Sequence, residues 1–243
     1  MFDLTGRRAL ITGLADDVAG AIAIELAAQG CDIGFVAPRP KGSESLKSKI
    51  TALGRRFLIR RADLTSGESV GRALDEVVAG AGGIDLLVNA AELYHDGPIL
   101  EIAEDQWDRT LAVNLKSVFL CSKAVVPHLL KQSRGRIINV AALSGKDSTP
   151  PAAVDYAAAM AGVLGFTRQL ARELAPHGIT VNAVAPLLPQ ESSVPPAEFL
   201  KRIPLARYAT PEEVAKAVVF LASDESGFIT GETLDLSGAL YKY

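Results

Sequence analysis

The residue of this chain best suited to proton transfer is a tyrosine at the start of a long, alanine-rich helix. Tyr156 follows an apolar strand predicted over Arg136–Val140 and a loop. A phenol donates its proton near neutral pH only where something, usually a nearby cation, lowers its pKa from about 10. One helical turn later, on the same helix face, the sequence has Met160, and Ala142 stands at the end of the strand. The framework of a proton-transfer site is therefore present without its chemistry.

Sequence segments on both sides of this tyrosine carry a family resemblance. TLAVNLKSVFL precedes the tyrosine, and IPLARYATPEEVAKAVVFLAS and FITGETLDLSG follow it. Over its whole length the chain resembles the short-chain dehydrogenase/reductase family, and in particular its 3-oxoacyl reductases. These are single-domain Rossmann enzymes that move a hydride between NAD(P) and an alcohol or carbonyl, using a Ser, a Tyr and a Lys in the pattern Y-x-x-x-K and an Asn. The resemblance implies that Tyr156 and Asn114 are vestigial catalytic residues, and that Ala142 and Met160 occupy the Ser and Lys positions.

One nearby residue offers a replacement for the missing serine. Ser144 lies two residues beyond Ala142, and alternate residues point to the same side of an extended chain, so Ser144 is a possible substitute. The sequence gives no basis for assigning Lys146 or Lys123 to the role of the missing lysine. Asn114 also has a structural interpretation, in which its side chain holds a local distortion of its own helix.

Tyr94 and His95 follow the fourth predicted strand and are expected near the mouth of the cleft. Either side chain is a candidate proton donor, and the alternative for His95 is an ordinary solvated loop histidine. The other histidines, His128 and His177, are scattered, and no spacing of His, Cys and Asp suits a metal ion. We therefore predict no metal site.

The predicted nucleotide-binding turn has carboxylates in place of glycine. The family pattern T-G-x-x-x-G-x-G reads Thr12-Gly13-Leu14-Ala15-Asp16-Asp17-Val18-Ala19, and its glycines let the backbone and the helix approach a pyrophosphate. Asp16 and Asp17 would place two negative charges where the phosphates rest. Like charges ~4–5 Å apart cost on the order of 1 kcal/mol in water and several when partly buried. The alternative, that one of them caps the following helix, is also compatible with a lost cofactor.

Other positions of the nucleotide cleft are altered less. The resemblance implies a cofactor site, weak or lost, formed by Gly13, Val18, Arg39, Asp63, Leu64, Asn89 and Pro186. Ala37 stands where NAD-dependent members have an acid, and Arg39 follows it. NADP is thus favoured over NAD if a cofactor binds, because a guanidinium suits a 2′-phosphate; a solvated arginine is the alternative. The family's N-N-A-G reads Asn89-Ala90-Ala91-Glu92. We predict that cofactor binding is absent or weak.

Length and composition restrict the class of protein. Strands and helices alternate through 243 residues without a linker, which predicts one α/β domain over residues 1–243, a three-layer, Rossmann-type, doubly wound parallel sheet. A net charge of −3 gives no basic face for nucleic acid. Two cysteines are too few for a disulfide framework, and no apolar run reaches the ~18 residues that span a bilayer. We expect a cytoplasmic protein without membrane or nucleic-acid partners.

The elements that assemble oligomers in the resembled family are better preserved than the cleft. They are the predicted helices Asp105–Leu130 and Tyr156–Leu174 and the C-terminal helix and strand, so the resemblance implies a dimer or tetramer. The leading hypothesis is a pseudoenzyme, the non-catalytic partner of an active paralogue in a hetero-oligomeric NAD(P)-dependent dehydrogenase, with a homo-oligomer when the partner is absent. One alternative is an active NADP(H)-dependent oxidoreductase of 3-oxoacyl-reductase type that uses Tyr156. The other is a small-molecule binding or sensor protein that uses the emptied cleft.

Overall fold

Parallel strands joined by helices form the frame of the protein. The computed structural model describes residues 2–39, 41–147, 152–189 and 197–241. Its strands are Arg8–Thr12 (β1), Asp32–Ala37 (β2), Phe57–Arg61 (β3), Leu86–Asn89 (β4), Gly135–Val140 (β5), Ile179–Pro186 (β6) and Thr233–Leu236 (β7). They pair in parallel in one seven-stranded sheet of order β3-β2-β1-β4-β5-β6-β7.

The connecting helices begin and end at positions that the local sequence favours. They are Val18–Ala28 (α1), Ser43–Ala52 (α2), Gly67–Ala81 (α3), Glu104–Leu111 (α4), Ser117–Leu130 (α5), Val154–Leu174 (α6), Ala197–Arg202 (α7) and Pro211–Ala222 (α8). Side-chain caps start three of them: Asp17 at α1, Ser66 at α3, and Thr210 with Glu213 in a capping box at α8. Each cap satisfies backbone N–H groups that the first helical turn leaves without a partner.

The two faces of the sheet bury alternate residues of each strand. In β1, Ala9 and Ile11 pack with α1 and α8 on one face, whereas Leu10 packs with α3 and α5 on the other. Because successive side chains of a strand point to opposite faces, the same strands hold both helical layers. This arrangement confirms the predicted three-layer, doubly wound parallel sheet.

The helix predicted over Asp105–Leu130 is not continuous. A π-helical turn, Ala112–Lys116, separates α4 from α5. The turn contains Asn114, and Ser117 at its end donates from Oγ to the Val113 carbonyl oxygen at 2.5 Å. A π-turn inside an α-helix often marks a functional position, and this one agrees with the interpretation that Asn114 holds a local distortion.

The same helical stretch meets the length and composition criteria for a membrane span, although polar and charged residues interrupt its apolar runs. Glu104–Leu130 has 27 residues and a window with a mean hydropathy of 1.2, and 39% of that window is buried inside the fold. Cys121, Val125 and Leu129 of this stretch belong to the core beneath the sheet. The core helix of a soluble protein meets the same criteria, so this stretch alone is weak support for a span.

Candidate active site

The ends of the central strands bring most predicted site residues to one edge of the sheet. Gly13 follows β1, Asn89 ends β4, Ala142 lies just beyond β5, and Pro186 ends β6. β1 lies between β2 and β4, so the connections from the centre of the sheet run in opposite directions there. Ligands of doubly wound sheets bind in the crevice at this switch point, and the candidate site is therefore the cleft at this edge.

Tyr156 is enclosed at one side of this cleft. It lies in the first turn of α6 with 2% of its surface exposed. Its hydroxyl donates a hydrogen bond to Oε1 of Glu92, and the ring of Tyr94 meets its ring edge-on, with the centroids 5.1 Å apart. The polar partner of the phenol is thus a carboxylate and not a cation.

These surroundings raise the pKa of Tyr156 well above its ordinary value near 10. Burial contributes most, because it disfavours the phenolate, and the charge and hydrogen bond of Glu92 and the nearby Tyr94 act in the same direction. A neighbouring lysine would shift the pKa in the opposite direction. At neutral pH the hydroxyl therefore keeps its proton and is a weaker acid than a free tyrosine.

The positions that would complete a proton-transfer site are apolar and closely packed. Ala142 and Met160 belong to the same buried cluster as Tyr156. A Cβ on Gly145 would lie 2.7 Å from the backbone carbonyl carbon of Met160, so the turn after β5 packs directly on α6. Ser144 lies in this turn, and its Oγ is buried with no hydrogen-bond partner among the described residues. Its role as a substitute for the missing serine stays a prediction.

The two lysines that the sequence left unassigned have partners elsewhere. Lys146 Nζ lies 2.9 Å from Oδ2 of Asp235 on β7 and 5.4 Å from the ring centroid of Tyr241. Lys123 lies over the ring of Phe119 on its own helix, 5.6 Å from the centroid. Neither ammonium takes the position of the missing lysine in this arrangement.

A second carboxylate beside the tyrosine, that of Asp155, is paired with a histidine. His95 Nε2 is 2.8 Å from Oδ2 of Asp155, whose side chain is 0% exposed, and the His95 side chain is 20% exposed. Asp155 Oδ1 accepts the backbone N–H of Tyr156 at 2.9 Å. The interpretation of His95 as an ordinary solvated histidine is therefore wrong, because its imidazole partners a buried acid. The sequence reasoning missed Asp155, although an acid directly before the tyrosine was a visible signal.

Asn114 holds the segment that follows β4. Its Oδ1 accepts the backbone N–H of Leu93 at 2.7 Å, and its Nδ2 donates to the Leu93 carbonyl oxygen at 2.8 Å. Both bonds leave the π-helical turn and fix the backbone next to Glu92. Asn114 thus helps to place the carboxylate that Tyr156 contacts.

At the nucleotide turn, Asp17 caps α1, as the alternative interpretation of this residue proposed. Its Oδ1 accepts the Ala19 N–H at 2.9 Å, and Asp16 forms an ion pair with Lys41 at 3.0 Å. Gly13 has a φ of +145°, and a Cβ there would lie 2.7 Å from the Cβ of Ala19. The methyl group of Ala19 therefore occupies the space next to Gly13, at the position where the family pattern has its third glycine.

The carboxyl of Asp17 has a pKa raised to about 7. Burial of the group contributes most, the Ala19 N–H opposes it, and the carboxylates of Glu92 and Asp16 raise the pKa further. As a whole residue Asp17 is solvent-exposed, so water screens part of this effect. Negative charge at the turn is thus unfavourable even before a phosphate enters.

An open cavity of about 660 Å³ remains in the nucleotide half of the cleft. It is formed by the ends of β1, β2 and β4, the segment after β3, α4 and the π-helical turn. Four of the predicted cofactor residues line it, namely Gly13, Arg39, Asp63 and Leu64. The other three, Val18, Asn89 and Pro186, do not belong to its described lining.

Two polar residues of this region have internal partners. Asp63 Oδ1 accepts from both the backbone N–H and the hydroxyl of Thr65, at 2.9 and 2.7 Å, and these bonds lower the pKa of Asp63. Asn89 is buried and donates from Nδ2 to Asn139 Oδ1 at 2.8 Å, so it stabilises the contact between β4 and β5.

Within the described part of the chain, no group of three or more His, Cys, Asp or Glu side chains could hold a metal ion.

Comparisons with known proteins agree with the fold and the motifs. A family model described as enoyl-(acyl carrier protein) reductase matches residues 13–238. The chain is 38% identical over 242 residues to the 3-oxoacyl-[acyl-carrier-protein] reductase FabG of Escherichia coli (strain K12), covering 97% of this chain and 98% of the relative. A crystal structure of a short-chain type dehydrogenase/reductase from Mycobacterium marinum has a TM-score of 0.93 and 30% identity, covering 100% and 98% of the two chains. That of NAD+-bound xylitol dehydrogenase has a TM-score of 0.91 and 28% identity, covering 97% and 99%. The chain belongs to the short-chain dehydrogenase/reductase family.

Proposed function

We propose that this chain has no hydride-transfer activity of its own and serves as the partner subunit of an active paralogue in a hetero-oligomeric NAD(P)-dependent dehydrogenase. The observation that carries the proposal is the hydrogen bond from the Tyr156 hydroxyl to Glu92. When a hydride reaches a carbonyl, the oxygen that becomes negative needs a proton at once. A phenol whose partner is a carboxylate releases its proton less readily than a free phenol.

Two further substitutions act in the same direction. Met160 brings no positive charge and Ala142 brings no hydroxyl to the cluster around Tyr156. A positioned acid or base contributes roughly 10²–10⁴-fold to a reaction rate. Losing the lysine and the serine together with inversion of the charge beside the tyrosine leaves no efficient route for the proton.

The nucleotide turn supports weak or absent cofactor binding. Asp17 places a carboxylate at the start of α1, where a helix N-terminus would otherwise attract a pyrophosphate. The Ala19 methyl reduces the space next to Gly13. Arg39 remains in the cavity, so NADP(H) is favoured over NAD(H) for any residual binding.

Exposed apolar side chains support a role in assembly. Trp107 on α4 is 38% exposed, Phe119 on α5 is 44% exposed, and Phe228, between α8 and β7, is fully exposed. A stable interface buries more than ~1,000 Å², and closed symmetric assemblies allow a related chain to replace an identical one. We therefore propose a dimer or tetramer, preferably mixed with an active paralogue, in the cytoplasm and without nucleic-acid or membrane partners.

Co-expression tests this proposal. The tagged chain is produced together with a family member that has the intact Y-x-x-x-K pattern and is encoded beside it, and the purified material is examined by mass analysis and light scattering. We expect a mixed complex of fixed ratio, and a homo-oligomer when the tagged chain is produced alone. A strictly monomeric chain that retains no partner at tens of micromolar would contradict the proposal.

The second candidate is an active NADP(H)-dependent reductase. It is favoured by the 38% identity to a protein named 3-oxoacyl-[acyl-carrier-protein] reductase. Incubation of the purified chain with NADPH and a 3-oxoacyl thioester separates the two candidates. Turnover that Tyr156→Phe abolishes would favour the active reductase, and we expect no turnover.

A further inference from the structure

A short segment after β4 lies against the buried start of α6. We call residues 92–96 the latch segment. At one end, Glu92 accepts the hydrogen bond of the Tyr156 hydroxyl. At the other end, Asp96 forms an isolated antiparallel bridge with Ala152, just before α6. These contacts hold the latch segment against α6 from both ends.

The residue that follows the latch segment allows its backbone to move. Gly97 is exposed and has a φ of +136°, and a Cβ there would meet nothing within 4 Å. Glycine adopts such backbone angles without the steric cost that other residues have. Gly97 is therefore a position about which the latch segment can pivot while β4 stays in the sheet.

The contact between His95 and Asp155 joins the middle of the latch segment to α6. His95 Nε2 lies 2.8 Å from Asp155 Oδ2, but neither atom has a partner with hydrogen-bond geometry among the described residues. The attraction between the two side chains therefore depends mainly on charge. An imidazole carries that charge only when it is protonated.

The environment of Asp155 suits a carboxylate that has a cationic partner. Asp155 lies in the first turn of α6, where the helix dipole favours negative charge, and its Oδ1 accepts the Tyr156 N–H. Its side chain is 0% exposed. A buried carboxylate that loses its cation is costly to keep away from water. When His95 is neutral, water must therefore reach Asp155.

The other ionisable groups around this pair do not replace the imidazole. On the latch segment and α6 they are Glu92, Tyr94, Asp96 and Tyr156, and Tyr208 interacts with Tyr94 from the connection between α7 and α8. The charged residues of α4 and the π-helical turn are all exposed, namely Glu104, Asp105, Asp108, Arg109 and Lys116. Lys146, after the turn that packs on α6, pairs with Asp235. Among the described ion pairs, the partner of Asp155 is His95.

We propose that the latch segment is a pH-sensitive device that closes this side of the cleft over Tyr156 while His95 is protonated and opens about Gly97 when His95 loses its proton. Loss of the charge brings water to Asp155 and releases the segment from α6. Opening exposes the tyrosine, so the pH sets access to it. This property belongs to the isolated chain and does not depend on an active paralogue or on a cofactor.

Hydrogen–deuterium exchange of the full isolated chain, followed by mass analysis, tests the proposal. The amides of the latch segment and of Tyr156 are compared at pH ~6 and pH ~8, on either side of the usual change in histidine charge. Exchange times are corrected for the intrinsic pH dependence of amide exchange. We expect protection about ten-fold lower at the higher pH, the effect of losing one partly buried ion pair. Amides of β1 should keep their protection, because local opening is not global unfolding.

Variants assign the pH dependence to the histidine of the latch segment. His95→Lys keeps a positive charge at both pH values and should hold the segment closed at both. His95→Gln keeps a polar side chain without charge and should leave the segment open at both. The matched control is His128→Gln, which removes another histidine that faces an acid, Asp75, at 3.6 Å and should leave the pH dependence unchanged.

Three results would overturn the proposal. The first is equal protection of the latch segment at the two pH values in the unsubstituted chain. The second is a pH dependence that persists in His95→Gln or in His95→Lys. The third is loss of the pH dependence in His128→Gln. The measurements use the chain alone, so they are separate from both the co-expression and the turnover experiments.

Discussion

The nucleotide half and the catalytic half of the cleft differ in what occupies them. The nucleotide half keeps a cavity of about 660 Å³ with exposed arginines. In the catalytic half, Tyr156 is 2% exposed and Met160 is 2% exposed within one apolar cluster. Glu92 lies at the boundary, because it lines the cavity and also accepts the hydrogen bond of Tyr156.

This difference shows that the frame of the cleft is kept while the side chains placed on it differ from those of the family pattern. Asn114 still fixes the Leu93 backbone, and the strands still bring the loops together. The side chains placed on this frame raise the pKa of Tyr156, whereas a cation would lower it. Among the described residues, the charged side chain beside the phenol is the carboxylate of Glu92. Fold and function are separable in this way because chemistry depends on a few side chains and the sheet depends on many.

Rebuilding the catalytic half is expected to give the largest effect. The double substitution Ala142→Ser and Met160→Lys restores the family's Ser and Lys. It leaves Glu92 beside Tyr156 and leaves Asp16 and Asp17 at the nucleotide-binding turn, so we expect no measurable NADPH-dependent reduction. Adding Asp17→Gly, Ala19→Gly and Glu92→Gly is expected to bring turnover above the detection limit, because a positioned acid contributes roughly 10²–10⁴-fold to the rate. The measurement is NADPH oxidation with a 3-oxoacyl thioester.

The control is the variant with all five substitutions and, in addition, Tyr156→Phe. This control variant must remain inactive. Reductase activity of the double variant alone would show that neither the nucleotide turn nor Glu92 is a barrier. The distinction between the two halves of the cleft would then be wrong.

The next largest effect is on stability, where substitutions in the catalytic half are expected to cost more than substitutions in the nucleotide half. Asp155→Ala is expected to lower the free energy of unfolding by about 1–3 kcal/mol, because it removes the buried acceptor of the Tyr156 N–H and the partner of His95. In the nucleotide half, Asp63→Ala removes an exposed acid and is expected to cost less than ~1 kcal/mol. Urea unfolding measures both, and Asp155→Asn, which keeps an acceptor for the Tyr156 N–H, should fall between them. Equal costs for Asp155→Ala and Asp63→Ala would remove this distinction.

The pH dependence of dinucleotide binding tests whether the charge of Asp17 at the nucleotide-binding turn opposes the cofactor. Asp17 has a pKa raised to about 7, so it is mostly protonated at pH ~6 and mostly charged at pH ~8. Affinity for NADPH should therefore rise as the pH falls, by about five-fold across this interval, which corresponds to ~1 kcal/mol of like-charge repulsion. Asp17→Asn keeps the helix cap and should abolish the pH dependence; an unchanged slope in this variant would exclude Asp17 as its source.

The smallest change concerns the acidity of the tyrosine itself. Glu92→Gln retains a hydrogen-bond acceptor but removes the negative charge, so the pKa of Tyr156 should fall while burial keeps it above its ordinary value. Ultraviolet difference titration of the phenolate measures this change, with Tyr156→Phe in each background to identify the signal among five tyrosines. A pKa of Tyr156 that does not respond would show that burial alone sets its acidity.

The sequence by itself determined the order of strands and helices, the family, and the presence of Ala142 and Met160 at the family's Ser and Lys positions. Strand and helix patterns are local, and the position of Met160 one turn after Tyr156 is read directly from spacing. It also indicated that Asp16 or Asp17 could cap α1, because a capping side chain acts within three residues of itself. Even the distortion at Asn114 was among its interpretations.

Only the tertiary structure decided what surrounds the tyrosine. Glu92 is 64 residues away from Tyr156 along the chain, and its replacement of a glycine indicated a damaged nucleotide site, not a partner for the phenol. His95 and Asp155 likewise lie on separate connections that meet because β4 and β5 are neighbours. Such contacts depend on how loops from different strands converge at one edge of the sheet, and no local pattern in the sequence specifies those distances.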